Sequence, residues 1–186
     1  HGHHTWAVHE DAPYILGDGI RMAEALGADI VGYDSGLLLA TSGFMHSVEP
    51  FLPPWLMIVN EQGVRFMSET AYYAVSGYLL NEQTGRHAFA IFDEPTMLEA
   101  GTDTRHADPY NTGMPVVTWN PDMIRENLAK GRVRKAGTLA ELATLCGINV
   151  LTLEQTVARY NADCREGHDG LFFKKAFKHF AVEKAP

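Results

Sequence analysis

The chain has 186 residues, is 46% hydrophobic and 20% charged, and carries a formal net charge of −8 from 15 basic and 23 acidic side chains. That length is enough for one sizeable domain with a real core, and no window approaches 18 uninterrupted apolar residues, which excludes a membrane span. The acidic balance argues against a nucleic-acid partner, because neutralising phosphates needs a basic surface. No signal-peptide pattern opens the chain, which starts at His1 rather than Met and reads as a piece of a longer or processed product. Two cysteines, Cys146 and Cys164, form no CxxC pair and are too few for a zinc site; a reduced, cytoplasmic setting fits them.

In chain order, residues 1 to 16 lack any period. Gly17-Asp18-Gly19 opens a helix whose apolar face carries Ile20, Met22, Ala23 and Leu26, and Gly27 ends it. Strand-like runs follow at Asp29 to Tyr33 and Leu37 to Ala40. Thr41 to Pro54 reads as a loop with exposed apolar groups. Leu56-Met57-Ile58-Val59 is a strand, Asn60 to Gly63 a turn, and Val64-Arg65-Phe66-Met67 a returning strand, which together predict a hairpin. Ser68 or Thr70 caps a predicted helix from Glu69 to Leu80. His87 to Phe92 reads as a buried strand, ended by Asp93, and Glu94-Pro95 begins a short helix. After a polar loop over 101–115, a helix covers Pro121 to Lys130 and a short strand Arg132 to Lys135. Thr138 to Glu141 is a capping box for a helix that runs to Cys146. Asn149 caps the next helix, with Leu153, Val157 and Tyr160 on one face, and Gly167 to Gly170 stop it. The tail from Leu171 mixes aromatics (Phe172, Phe173, Phe177, Phe180) with four lysines. Helices mixed with antiparallel-type hairpins predict an α+β architecture, with a soft boundary near residue 40.

Few residues stand out chemically. His1, His3, His4 and His9 could bind a metal, but their spacing matches neither HExxH nor a zinc finger, so a plain loop is the better reading. Asp18, between two glycines at a helix start, either contacts a ligand or serves as the cap, and the cap is favoured. Arg65 and Glu69 can pair to fix a strand-to-helix junction, which is the structural reading. Tyr72 and Tyr73, at the first turn of the following helix, are either core aromatics or a proton donor or acceptor favoured by the helix N-terminus. No G-x-S-x-G elbow, phosphate loop or G-x-G-x-x-G fingerprint occurs.

Three segments together carry a resemblance. Gly17-Asp18-Gly19-Ile20-Arg21-Met22-Ala23 is similar to a GDG-x-x-M-A helix. Val59-Asn60 through Gly63, with Arg65-Phe66 and Glu69, is similar to VN-x-x-G-x-RF-x-x-E. Thr138 to Ala143, Gly147-Ile148, Thr156 to Asn161, and Gly167 with Asp169 are similar to TLEELA…GI…TV-x-RYN…G-x-D. In this order they resemble the FAD-binding family of fumarate reductases and ketosteroid dehydrogenases over most of residues 15 to 172. The resemblance implies an edge of the flavin domain over 1–42, a substrate-capping domain over 43–172 with a small, mostly antiparallel sheet flanked by helices, and a return towards the flavin domain over 173–186. It also implies FAD held largely outside this chain, with the rest of the flavin domain as a partner. The piece alone is then expected to be catalytically silent, and its uncovered apolar face could make it dimerise.

The departures from the pattern narrow the implied chemistry. The place of the arginine that delivers a proton in fumarate reductases is held by Tyr73, which is similar to the ketosteroid dehydrogenase pattern in which a cap tyrosine acts as base. Glu49 is followed by Leu52 where the relay expects an arginine. A substrate-binding histidine expected near position 36 is absent, and His46 is the nearest. Dicarboxylates want arginine forks, whereas the stretch with Phe44, Met45, Phe51, Leu52 and Trp55 is apolar. The implied assignments are Tyr73 as the catalytic residue, Phe44, His46 and Tyr72 at the substrate, Asp18 at the cofactor, Arg65 and Glu69 as support, and no metal. The implied reaction is oxidation or reduction of a carbon–carbon bond beside a carbonyl in an apolar small molecule. A dicarboxylate flavoenzyme and a non-catalytic interaction module remain the alternatives.

Overall fold

The computed structural model describes residues 16–32, 38, 40, 52–100, 119–174 and 180–184, and among these are six α-helices, a 3-10 turn at Thr84–Arg86 and a two-stranded antiparallel sheet. The chain divides into two units, 1–37 and 38–186.

In the first unit, α1 spans Asp18–Ala25. Gly17 precedes it in the left-handed region (φ 76) and no side chain caps it, so Asp18 is the first helical residue rather than the cap. Its carboxylate instead pairs with Arg21 one turn on. The apolar residues Leu16, Ile20, Met22 and Leu26 are all exposed. The described part of the predicted strand at Asp29, residues 29–32, pairs with nothing, since no strand exists among the described residues of this unit to receive it.

The second unit is built on β1 (Met57–Val59) and β2 (Phe89–Ile91), paired antiparallel with Ile58 opposite Ala90. β1 is buried on both faces, which explains its unbroken apolar run. Met57, Val59 and Ile91 pack with Ala143, Ile148, Leu153, Val157 and Tyr160, whereas Ile58 packs with Trp55, Met67, Met97, Trp119, Ile124 and Phe180. Around the sheet stand α2 (Tyr73–Asn81), α3 (Glu94–Ala100), α4 (Pro121–Ala129), α5 (Leu139–Cys146) and α6 (Val150–Glu166). Their starts follow local rules. The side chains of Asn120, Thr138 and Asn149 accept from the amides of Met123, Glu141 and Thr152, and Gly147 and Gly167 end α5 and α6 at φ 72. Asp93 does likewise for α3: one carboxylate oxygen accepts from Thr96 N, and the other from Glu183 N and Lys184 N.

Several expectations are corrected. The returning strand at Val64 makes one bridge, Val59 to Arg65, and the true partner of β1 is β2. A ladder cannot continue past Arg65, because Ile58 N donates to the Glu69 carboxylate instead of to a strand. The helix predicted from Glu69 begins at Tyr73, for the same reason: Glu69 is committed to the core. Arg132 to Lys135 forms no strand. Leu52 is half-buried and Trp55 fully buried, the latter edge-on to Phe92 at 5.2 Å and Trp119 at 6.4 Å, so neither belongs to an exposed loop. The histidine-rich start, Tyr33, the loop with Phe44, His46 and Glu49, the loop 101–115 and Phe177 lie outside the described residues.

The turn after β1 seats on the start of α6, where Asn149 N donates to Glu61 O. Gly63 lies there at φ 78, and a Cβ on it would stand 2.8 Å from Leu153 N and 3.1 Å from Asn149 O. Gly63→Ala meets both a left-handed backbone and unyielding helix backbone. It is expected to destabilise the chain by about 2 kcal/mol or more, read as a lower urea midpoint at unchanged slope; an unchanged midpoint would show that turn and helix are not packed this way.

Candidate active site

The segment that leads to the two tyrosines is fastened at its start by an Asx turn. Asn60 Oδ1 accepts from Gln62 N (3.1 Å) and Val64 N (3.0 Å), while its amide donates to Gln83 Oε1 (3.0 Å). The chain then turns Arg65 inward. Its guanidinium grips Glu69 through Nε to Oε1 (3.1 Å) and Nη2 to Oε2 (2.9 Å), and grips Asp169 through Nη1 to Oδ1 (3.2 Å) and Nη2 to Oδ2 (3.0 Å). Lys174 Nζ completes the cluster, donating to Leu56 O (2.7 Å) and Tyr160 Oη (3.0 Å) and lying 3.1 Å from Glu69 Oε2. Arg65 also lies against the rings of Tyr160 and Phe172, at 4.8 and 5.2 Å.

All four charged side chains are buried, two of each sign. Glu69 accepts from Ile58 N as well, and Asp169 from the amides of Leu171, Phe172 and Lys174. Burial opposes every charge, yet the partners prevail for three of them. Despite burial, Lys174 and Arg65 hold the Glu69 carboxyl below its ordinary range. Despite burial, the Arg65 hydrogen bonds and charge, with the loop amides, hold Asp169 down to about 2. Arg65 is held above its ordinary value by Glu69 and Asp169 against the cost of burial. For Lys174 burial wins over Glu69 and its pKa is lowered. Burial and the nearby carboxylates raise the Tyr160 phenol. The charges match in sign, and the hydrogen bonds to both carboxylates offset the cost of burying them.

Around Glu69, held in the core, residues 68–71 form a turn, with Ala71 N donating to Ser68 O and Ser68 Oγ 2.9 Å from Thr70 Oγ1. Tyr72 follows, extended (ψ 139) and 70% exposed, and Tyr73 is the first residue of α2. Buried Ser76 ties this start down, donating to Ala71 O and Tyr72 O at 3.3 Å each. The structure therefore joins Arg65 and Glu69 directly and sets Tyr73 at a helix start. Asp18 stands in the other unit, exposed beside Arg21. Phe44 and His46 lie outside the described residues. Sequence reading missed Lys174 altogether. It is one lysine in a tail of four, with no periodic signal to mark it as buried.

For FAD, the feature of the first unit that suits a bound group is the start of α1. No side chain caps it, and a Cβ on Gly17 or Gly19 would meet nothing within 4 Å. Such an opening allows one edge contact to a cofactor, which is far less than a dinucleotide site. Among the described residues no group of three or more His, Cys, Asp and Glu could hold a metal, and no helix is long and apolar enough to cross a membrane.

No family model matches the chain. It is 31% identical over 180 residues to the NADH:acrylate oxidoreductase of Vibrio harveyi, covering 95% of this chain and 16% of that protein. It is 25% identical over 191 residues to the fumarate reductase (cytochrome) of Shewanella frigidimarina, covering 94% of this chain and 28% of that one. Its fold is similar to the crystal structure of 3-ketosteroid-Δ4-(5α)-dehydrogenase from Rhodococcus jostii RHA1 in complex with 4-androstene-3,17-dione, with TM-score 0.58 and 27% identity, over 91% of this chain and 29% of that one. The chain thus spans less than a third of the length of these proteins.

Because the folded-state pKa of Asp169 is depressed to about 2 from 3.8, its contribution to stability is full above about pH 4 and is lost as the pH falls towards 2. Asp169→Asn is expected to lower stability at pH 7 and to flatten the acid limb between those values, measured by urea unfolding across pH. An unaltered acid limb would remove Asp169 from the cluster. Arg65→Met, which strands two buried carboxylates, is expected to cost about 3–5 kcal/mol in the same assay.

Proposed function

Because the chain belongs to the fumarate reductase and ketosteroid dehydrogenase flavoprotein family, we propose that it is the substrate-capping part of an FAD-dependent oxidoreductase. In this reading residues 43–172 form the cap, 1–42 an edge of the flavin domain and 173–186 the return towards it. The exposed apolar face of α1 supports the second of these, since an eight-residue helix needs a surface to cover it.

The reaction is oxidation or reduction of a carbon–carbon bond beside a carbonyl, of ketosteroid dehydrogenase type. The observation that carries it is Tyr73 as the first residue of α2, four residues after the buried Glu69. FAD, when bound, supplies the two-electron exchange. The work of this chain is proton transfer and enclosure. Tyr73, as its phenolate, takes the proton from the carbon beside the carbonyl in the oxidative direction and, as the phenol, returns it in the reductive one. A position at the positive end of a helix favours the phenolate that the first of these needs. The Arg65–Glu69 pair fixes the turn that presents it. Phe44, His46 and Tyr72 would line the substrate, and Asp18 would help hold the cofactor. Closure over the substrate keeps out water. A second reading, reduction of a double bond beside a carboxylate, is favoured by the relative named for acrylate.

In the full-length enzyme, Tyr73→Phe is expected to lower turnover at least about 100-fold while the flavin absorbance persists. Unchanged turnover would take Tyr73 out of the mechanism. Bleaching of the flavin by ketosteroids separates the first reading from the second, for which acrylate or a dicarboxylate would reoxidise reduced flavin instead.

A further inference from the structure

The second unit carries a groove that the proposed chemistry does not use. It runs along the outer edge of β2, between α4 and α5, with a volume of about 1050 Å³. Tyr72 does not line it. Its walls are apolar and largely withdrawn from solvent, with Met97, Trp119, Leu128 and Leu142 among them. Its exposed lining is cationic: Arg86, Arg125, Arg132, Arg134, Lys135 and Lys184, against the carboxylates of Glu94 and Glu183. In a chain of net charge −8, this is a local reversal of sign. Arg125 leans on Asp122 at 3.4 Å and Lys135 on Glu94 at 3.6 Å. Arg134 and Lys184 form no ion pair among the described residues.

The edge of β2 adds a third element. Ile58 N donates to Glu69, so it points away from β2, and the Ile58–Ala90 pair is the non-hydrogen-bonded kind. The Ala90 N–H and C=O therefore point outwards, along the lining of the groove. Among the described residues β2 pairs with β1 alone, and no backbone group meets that edge. An unpaired strand edge between apolar walls, under a rim of cations, matches an extended peptide that brings all three complements. Main-chain hydrogen bonds would meet Ala90, alternate apolar side chains would meet the walls, and carboxylates would meet the rim.

We infer that this groove is a docking site for an extended acidic segment of another polypeptide, added as a third strand on β2. A small amphiphilic anion is the competing occupant; it would use the walls and the rim but leave the strand edge unpaired.

The test uses the full 186-residue chain and two eight-residue peptides, one alternating glutamate with valine and one alternating lysine with valine. The glutamate peptide is expected to bind, more weakly as salt rises, and the lysine peptide at least tenfold more weakly. Binding is expected to slow hydrogen exchange at the Ala90 amide, which is fast in the free chain. Arg134→Glu combined with Lys184→Glu changes exposed side chains only and is expected to cost at least tenfold in affinity with an unchanged far-UV spectrum. If that variant does not fold, the comparison of the two peptides on the unaltered chain decides the matter. Equal binding of both peptides, no binding of either, slow Ala90 exchange in the free chain, or binding of decanoate without the peptide would each overturn the inference.

Discussion

The second unit depends on one buried cluster of four charges. Arg65, Glu69, Asp169 and Lys174 come from two stretches about a hundred residues apart, and they meet with sign matched to sign. None of them could be buried alone, because an isolated ion in the interior loses its hydration with nothing in return. Arg65 satisfies two carboxylates at once, through the planar fork that a lysine lacks. Lys174, a point charge with three donors, reaches a carboxylate, a phenol and the carbonyl of Leu56. The energetic logic is asymmetric. Against apolar side chains of equal volume such a cluster adds little, but removing one member leaves its partners charged and stranded.

From that constraint the local geometry follows. Glu69 takes the amide of Ile58, so on that edge of β1 the returning chain makes only the Val59–Arg65 bridge, while the opposite edge pairs with β2. The same commitment keeps Glu69 out of the helix its sequence neighbours suggest. The start of α2 moves to Tyr73, and the turn before it exposes Tyr72. The cluster thus sets which residue stands first in α2. Within the same cluster, loop amides at Leu171, Phe172 and Lys174 close around Asp169, which ties the turn after α6 to Arg65.

The two cysteines fit the same picture of a settled interior. Cys164 lies in the core, and burial pushes its thiol up to about 11; burial likewise raises Cys146. At neutral pH both thiols stay protonated, the form that is the poorer nucleophile.

How much of this was legible beforehand depends on the range of the interaction concerned. The sequence by itself determined the helix limits at Pro121, Thr138, Asn149, Gly147 and Gly167, because caps, a proline in the first turn and left-handed glycines act within a few residues, whereas the Asn120 cap came from the structure. It determined the buried face of Leu153, Val157 and Tyr160 through its period, the pairing of Arg65 with Glu69 through their spacing, and the family through three ordered motifs. Only the tertiary structure decided which strand pairs with β1, where α2 begins, and that Trp55 belongs to the core. Only the tertiary structure brought Asp169 and Lys174 to Arg65 and Glu69, since a contact between charges a hundred residues apart leaves no period and no spacing to read.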